Sequence, residues 1–167
     1  MSTIQPVVHS FRYAMDYLRE QVADVGDEQM AQQPRGLANH AAWTLGHVIF
    51  SCQLLGEVVG VKPWLADEWT TLFGTDSVPS SDAAAYPSRA ALLAQLDAAQ
   101  RRLIAGVEAL SAAQIDAPFP DPAYHDVFPT VRHALTQVMV GHVAHHVGQL
   151  TAWRKALGLP RLKRGFE

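Results

Sequence analysis

Apolar residues recur at helical spacing in this chain, and no alternating run long enough for a half-buried strand occurs. That contrast predicts an all-α fold. Between about 5 and 24, Val8, Phe11, Ala14, Met15, Leu18 and Val22 follow one another at steps of three and four, which gives a helix one apolar face. A second helix is predicted over 40–59, with Asn39 as N-cap and Gly60 as its stop. Its sequence, HAAWTLGHVIFSCQLLGEVV, is apolar on most sides and predicts deep burial. The third runs over 89–110 behind Ser88, with Leu92, Leu93, Leu96, Leu103, Val107 and Leu110 as its stripe. The last runs over 130–157, from Thr130 to Gly158 and Pro160.

Two long connections separate these helices. Residues 61–87 carry Pro63, Gly74, Pro79 and Pro87, with LADEWTTLF as a short helical piece. The segment APFPDPAYHDVFP is too rich in proline for helix. DEQMAQ, after Gly26, has room for one helical turn. Four long helices with two long crossings predict a four-helix bundle, and residues 1–167 read as a single domain. Long connections in a compact domain often lie near a site.

The stretch GHVAHHVGQL, residues 141–150, holds three histidines in an apolar setting. On a helix, positions four apart are offset by about 40° around the axis and ~6 Å along it. His142 and His146 can therefore face one ion, and His142 with His145 can do so almost as well. Spacing alone leaves both pairs open. A third ligand is offered by His47 in WTLGHVIF, where a buried imidazole needs a partner. His40 lies about 10 Å further along the same helix, at the rim of a site centred on His47. His133 is half a rotation from His142, His125 lies in the proline-rich segment, and His9 borders the first apolar stripe. Gly148 is expected to admit a neighbouring helix, and Gln149 to orient a group near the site or face solvent.

Other features narrow the function. The single cysteine, Cys52, excludes an intramolecular disulfide and a thiolate cluster within the chain, and reads as a small buried residue. A formal charge of −3 gives no electrostatic reason for a nucleic-acid or membrane partner, and the basic residues of RLKRG near the C-terminus read as a solvated tail. No signal peptide and no 18-residue apolar run are evident, which fits a reducing cytoplasm. Val143 follows His142, so HExxH is absent and its general base with it. His40, His125, Asp67 and Glu68 are the candidate bases. Trp43, Trp64, Trp69 and Trp153 are candidates for a pocket wall or for core.

NHAAWTLGHVIFSCQLLG followed by GHVAHHVGQLTAWRKALGLP resembles the DinB-like (YfiT-like) family of metal-dependent enzymes. The resemblance implies an up-down-down-up four-helix bundle. It also implies one histidine on the second helix in a W-x-L-x-H setting and an H-x-x-x-H-x-G-Q run on the last. Carried over, the metal ligands become His47, His142 and His146, followed by Gly148 and Gln149. His146 is thereby preferred to His145. A divalent ion, zinc, nickel or iron, suits three imidazoles with open positions. Such an ion activates water for hydrolysis or holds a thiol as thiolate for transfer. Some relatives transfer groups to or from low-molecular-weight thiols, so the partner expected here is a small molecule, such a thiol among the candidates. The fold does not fix the reaction, and a non-catalytic metal-dependent sensor or small-ligand carrier is the alternative. Exposed helix faces leave room for a homodimer.

Overall fold

The computed structural model describes residues 4–162, and within them four long helices carry the core. The first, α1 (Gln5–Gln21), begins with proline in its first turn, where a missing N–H is harmless, and buries Val8, Phe11, Ala14, Met15 and Leu18. It ends three residues before the expected 24. The reason is an alternative set of donors for its final carbonyls. Arg154 takes Gln21 O at 2.6 Å, and Arg89 takes the carbonyls of Val22, Ala23 and Val25 at 3.3, 2.8 and 2.6 Å. Two arginines thus take carbonyls at the helix end and just beyond it. DEQMAQ contributes the single turn Asp27–Met30.

The second long helix, α2 (Ala41–Val58), is buried on nearly every side, as its uniform apolarity requires. Its N-cap is His40 rather than Asn39. The imidazole Nδ1 accepts from Trp43 N at 3.2 Å while Nε2 donates to Ser80 O at 2.9 Å. Asn39 instead reaches across to Gln149 Oε1 at 3.4 Å. Beyond Gly60, at φ +84°, the connection folds back. Gln53 Oε1 accepts from Trp64 N and Leu65 N at 2.8 and 2.7 Å, pinning that connection to α2. Within the connection, the helix Glu68–Phe73 packs on α2. Ser88 then caps α3 (Arg89–Glu108) by accepting from Ala91 N.

The last long helix, α4 (131–156), is not uniform. Val131–Thr136 is α-helical, Gln137–His142 is π-helical, and Val143–Ala156 is α-helical again. Wide turns of this kind are frequent at functional sites. Thr130 occupies the N-cap position, but its hydroxyl pairs with His133 Nδ1 at 2.9 Å instead of a backbone N–H. Each long helix packs on two others, in the cycle α1–α4–α2–α3. The fold is all-helical: among the described residues the only extended pairing is the isolated bridge Pro118↔Thr130. No described helix is long and apolar enough to cross a membrane. Of the RLKRG segment, Lys163, Arg164 and Gly165 lie outside the described residues.

Candidate metal centre

α2 and α4 run side by side with His47, His142 and His146 on their facing surfaces. His47 Nε2 lies 3.2 Å from His142 Nε2, and His146 Nε2 lies 3.1 Å from the same atom. All three ligand atoms fall within 4.8 Å of one another. Two nitrogens held ~2.0–2.1 Å from a tetrahedral ion are about 3.3 Å apart. The two separations from His142 are of that size.

Hydrogen bonding on the far side of each ring decides where the protons sit. His47 Nδ1 meets Phe73 O at 2.7 Å, an acceptor only, so Nδ1 carries the hydrogen and Nε2 a lone pair. His146 Nδ1 meets Gln149 Oε1 at 2.9 Å, with the same consequence. His142 Nδ1 is buried without a partner. A proton on His142 Nε2 can satisfy one neighbour and not both; a proton on Nδ1 satisfies neither. Either way, lone pairs confront each other across ~3 Å unless a cation lies between them. Ligating histidines commonly donate their other N–H to a carbonyl or amide oxygen, as His47 and His146 do here. The donor set therefore fits a divalent ion.

Electrostatics agree. Burial, followed by the neighbouring imidazoles His47 and His145, pushes His142 down to about 4. Burial, then His142 and His47, pushes His146 down to about 3 against the opposing hydrogen bond to Gln149. Burial also lowers His47. All three rings are thus neutral at neutral pH, the form in which imidazole binds metal.

Two residues that sequence reasoning missed build this arrangement. Phe73, at the end of the short helix Glu68–Phe73, supplies the carbonyl that fixes His47. It can approach because Gly46 stands where it does: a Cβ there would lie 2.1 Å from Phe73 Cε1. The G in WTLGHVIF was the available signal. By contrast, Gly148 has nothing within 4 Å of an added Cβ, so the expected close helix approach is not there. Gln149 does orient the site. Its Oε1 faces His146, while its Nε2 donates to His145 Nε2 at 2.9 Å. Trp43 lies flat on His47, ring centroids 4.7 Å apart at 9°, and donates its indole N–H to Ser77 Oγ at 2.8 Å.

The remaining sequence candidates go elsewhere. His145 is exposed on the outer side of α4, and the histidines that cluster are His47, His142 and His146. His40 has both nitrogens engaged, Nδ1 in the cap of α2 and Nε2 with Ser80 O. His125 is exposed and bonded to Phe119 O at 2.8 Å, and His9 and His133 are exposed. Asp67 and Glu68 are exposed at the start of the short helix. Among the described residues the cluster of possible ligands holds the three histidines and no carboxylate. Trp69 and Trp153 are core, and Trp64 packs against it. Cys52 is fully buried, and desolvation raises its thiol to about 12, so it is inert.

A cleft of about 500 Å³ opens beside His142. Its walls include Leu54 and Val58 of α2, Val138 of α4, and Phe119, Tyr124 and Phe128 of the segment before α4. Those three rings pack together with centroids 5.4–6.4 Å apart. Their segment closes on itself through Phe119 N to Pro129 O, Val131 N to Ala117 O and Phe128 N to Tyr124 O.

Comparison with known proteins accords with this architecture. The crystal structure of the conserved protein of locus from Enterococcus faecalis is similar in fold, with a TM-score of 0.77 over 95% of this chain and 99% of that one, at 18% identity. Curated proteins give no match. The family model described as DinB superfamily matches residues 10–150, and the chain therefore belongs to the DinB superfamily.

Proposed function

We propose that this protein is a metal-dependent enzyme acting on a small molecule, with His47, His142 and His146 holding one divalent ion. The reading rests on one observation above the others: His47 Nε2 and His146 Nε2 both lie within hydrogen-bonding distance of His142 Nε2, with too few protons to satisfy them. Zinc, nickel and iron all suit such a donor set. The ion supplies Lewis acidity that brings a coordinated water or thiol into its deprotonated form near neutral pH.

The chain's own residues do the rest. Phe73 O and Gln149 Oε1 hold two rings in the tautomer that presents Nε2. Trp43 covers the face of His47 and keeps water from it. The cleft seats the second reactant beside His142. Among the described residues no carboxylate joins the triad, so the proton lost by a nucleophile held there would pass to solvent. That suits a hydrolase or a low-molecular-weight-thiol transferase, both of which begin with a nucleophile acidified at the metal. The helix cycle α1–α4–α2–α3 supports reading the fold as an up-down-down-up four-helix bundle, with the site between its second and fourth members.

The same absence of a nearby base favours one competing reading, a non-catalytic sensor or small-ligand carrier that uses the same ion. A screen crossing low-molecular-weight thiols and water with epoxide, ester and aryl halide electrophiles separates the two. Metal-dependent turnover abolished in His142→Ala supports the enzyme. Tight metal and ligand binding without turnover supports the carrier.

A further inference from the structure

The cleft beside His142 carries a charge signature that bears on its occupant. Most of its wall is apolar, and two of its side chains are large hydrophobics left open to solvent: Leu54, 50% exposed, and Tyr124, 51% exposed. Apolar surface left open beside a polar centre marks a ligand-binding groove. Among the described residues that line it there is no lysine or arginine, and Asp121 is its one acidic side chain. The Asp121 carboxylate is held in place: Oδ1 accepts from Ala123 N at 2.9 Å and caps the turn Pro122–Tyr124. Ser51 and Thr75 add only neutral hydroxyls.

We propose that this cleft selects an apolar substrate that is neutral or cationic at the end meeting the Phe119–Phe128 segment, and that Asp121 rejects substrates carrying a carboxylate there. This rests on the metal reading above and narrows it. With no cation in the wall, an anionic group entering the cleft would lose hydration without gaining a partner. It would also meet the carboxylate of Asp121, an exposed side chain whose repulsion is screened by solvent and worth a modest factor. An aromatic or aliphatic body instead covers Leu54, Tyr124 and Phe128, and a positive group on it gains Asp121 as partner. The thiols and electrophiles this site handles are accordingly hydrophobic ones, not polycarboxylate conjugates.

The test uses cobalt(II)-loaded full-length protein and three benzyl thiols that differ only in the para group: methyl, aminomethyl and carboxylate. Binding is read from the thiolate-to-cobalt charge-transfer absorption. The methyl and aminomethyl compounds should bind about tenfold tighter than the carboxylate. Asp121→Asn keeps the oxygen that caps Ala123 and should shrink the gap between aminomethyl and carboxylate to about threefold or less. A carboxylate thiol that binds as tightly as the other two overturns the inference while leaving the metal centre standing. So does a gap unchanged in Asp121→Asn. Failure to take up cobalt at all overturns the metal reading and this inference with it.

Discussion

Gly46 and Phe73 are in a contact no other residue at position 46 could make: a Cβ would lie 2.1, 2.2 and 2.5 Å from three atoms of the Phe73 ring. The same Phe73 offers its carbonyl to His47 Nδ1 at 2.7 Å. Packing on one residue thus sets the orientation of a proposed ligand on the next.

Gly46→Ala should therefore act on stability and on metal binding together. Overpacking of this kind costs about 1–3 kcal/mol. Displacing the Phe73 carbonyl should weaken metal affinity about 10-fold or more. Urea denaturation and competition with a chelating indicator measure the two effects. Normal affinity in a folded Gly46→Ala protein would show that His47 needs no help from Phe73.

Gln149→Leu removes the acceptor from His146 Nδ1 and the donor to His145 in one step. Outer partners of ligating histidines are typically worth about 10–100-fold in affinity. Gln149→Glu keeps an acceptor and should retain most of it. Isothermal titration with zinc distinguishes the two variants; equal affinities would assign Gln149 no orienting role.

Acid should destabilise the metal-free protein through its buried imidazoles. His142 at about 4 and His146 at about 3 both lie below the value of an unfolded histidine, about 6.5. Between those limits the unfolded chain binds more protons than the folded one, so stability rises with pH. It is complete above about pH 6.5, falls as pH drops through 6 to 4, and levels off below about 3. Urea midpoints of metal-free protein across this range check the slope. His142→Asn should flatten it; an unchanged slope would place the acid-sensitive groups elsewhere.

Arg154, only 3% exposed, ties the end of α4 to the end of α1. It donates to Asp24 Oδ1 and Oδ2 at 2.5 and 2.9 Å, to Gln21 O and to Pro160 O. The hydrogen bond from Arg154 holds the Asp24 carboxyl below its usual range. That contribution is present above the unfolded carboxyl value and fades as pH falls through the folded one. Asp24→Ala leaves a buried guanidinium with carbonyls alone. Because Asp24 itself is half exposed, the expected loss is about 1–2 kcal/mol at pH 7, measured by urea denaturation. A loss below 0.3 kcal/mol, about the scale of a weak surface pair, would show that the carbonyls suffice.

The four long helices were legible because their signals are local: apolar steps of three and four, Ser88 as a cap, glycines and prolines as stops. The first stripe is buried as read, from Val8 to Leu18 on α1 and on to Val22 just past its end. The sequence also led to the three histidines that meet, with help from a family resemblance at one point. Spacing could not choose between His145 and His146, since both offer helical partners to His142. Distant contacts were not legible. Whether Asn39 or His40 caps α2 depends on Ser80, forty residues on. The early end of α1 depends on Arg89 and Arg154. The role of Gly46 depends on a ring from another helix. The π-helical turn Gln137–His142 carries no period that distinguishes it from an ordinary turn.

The account stands most directly on the metal content of protein purified without an affinity tag, measured by elemental mass spectrometry for the wild type and for His47→Ala. One divalent ion per chain in the wild type, taken up if necessary on loading, and little or none in a folded His47→Ala protein is the expected result. A wild-type chain that holds no divalent metal before or after loading, or a His47→Ala chain that holds it as well, would contradict it.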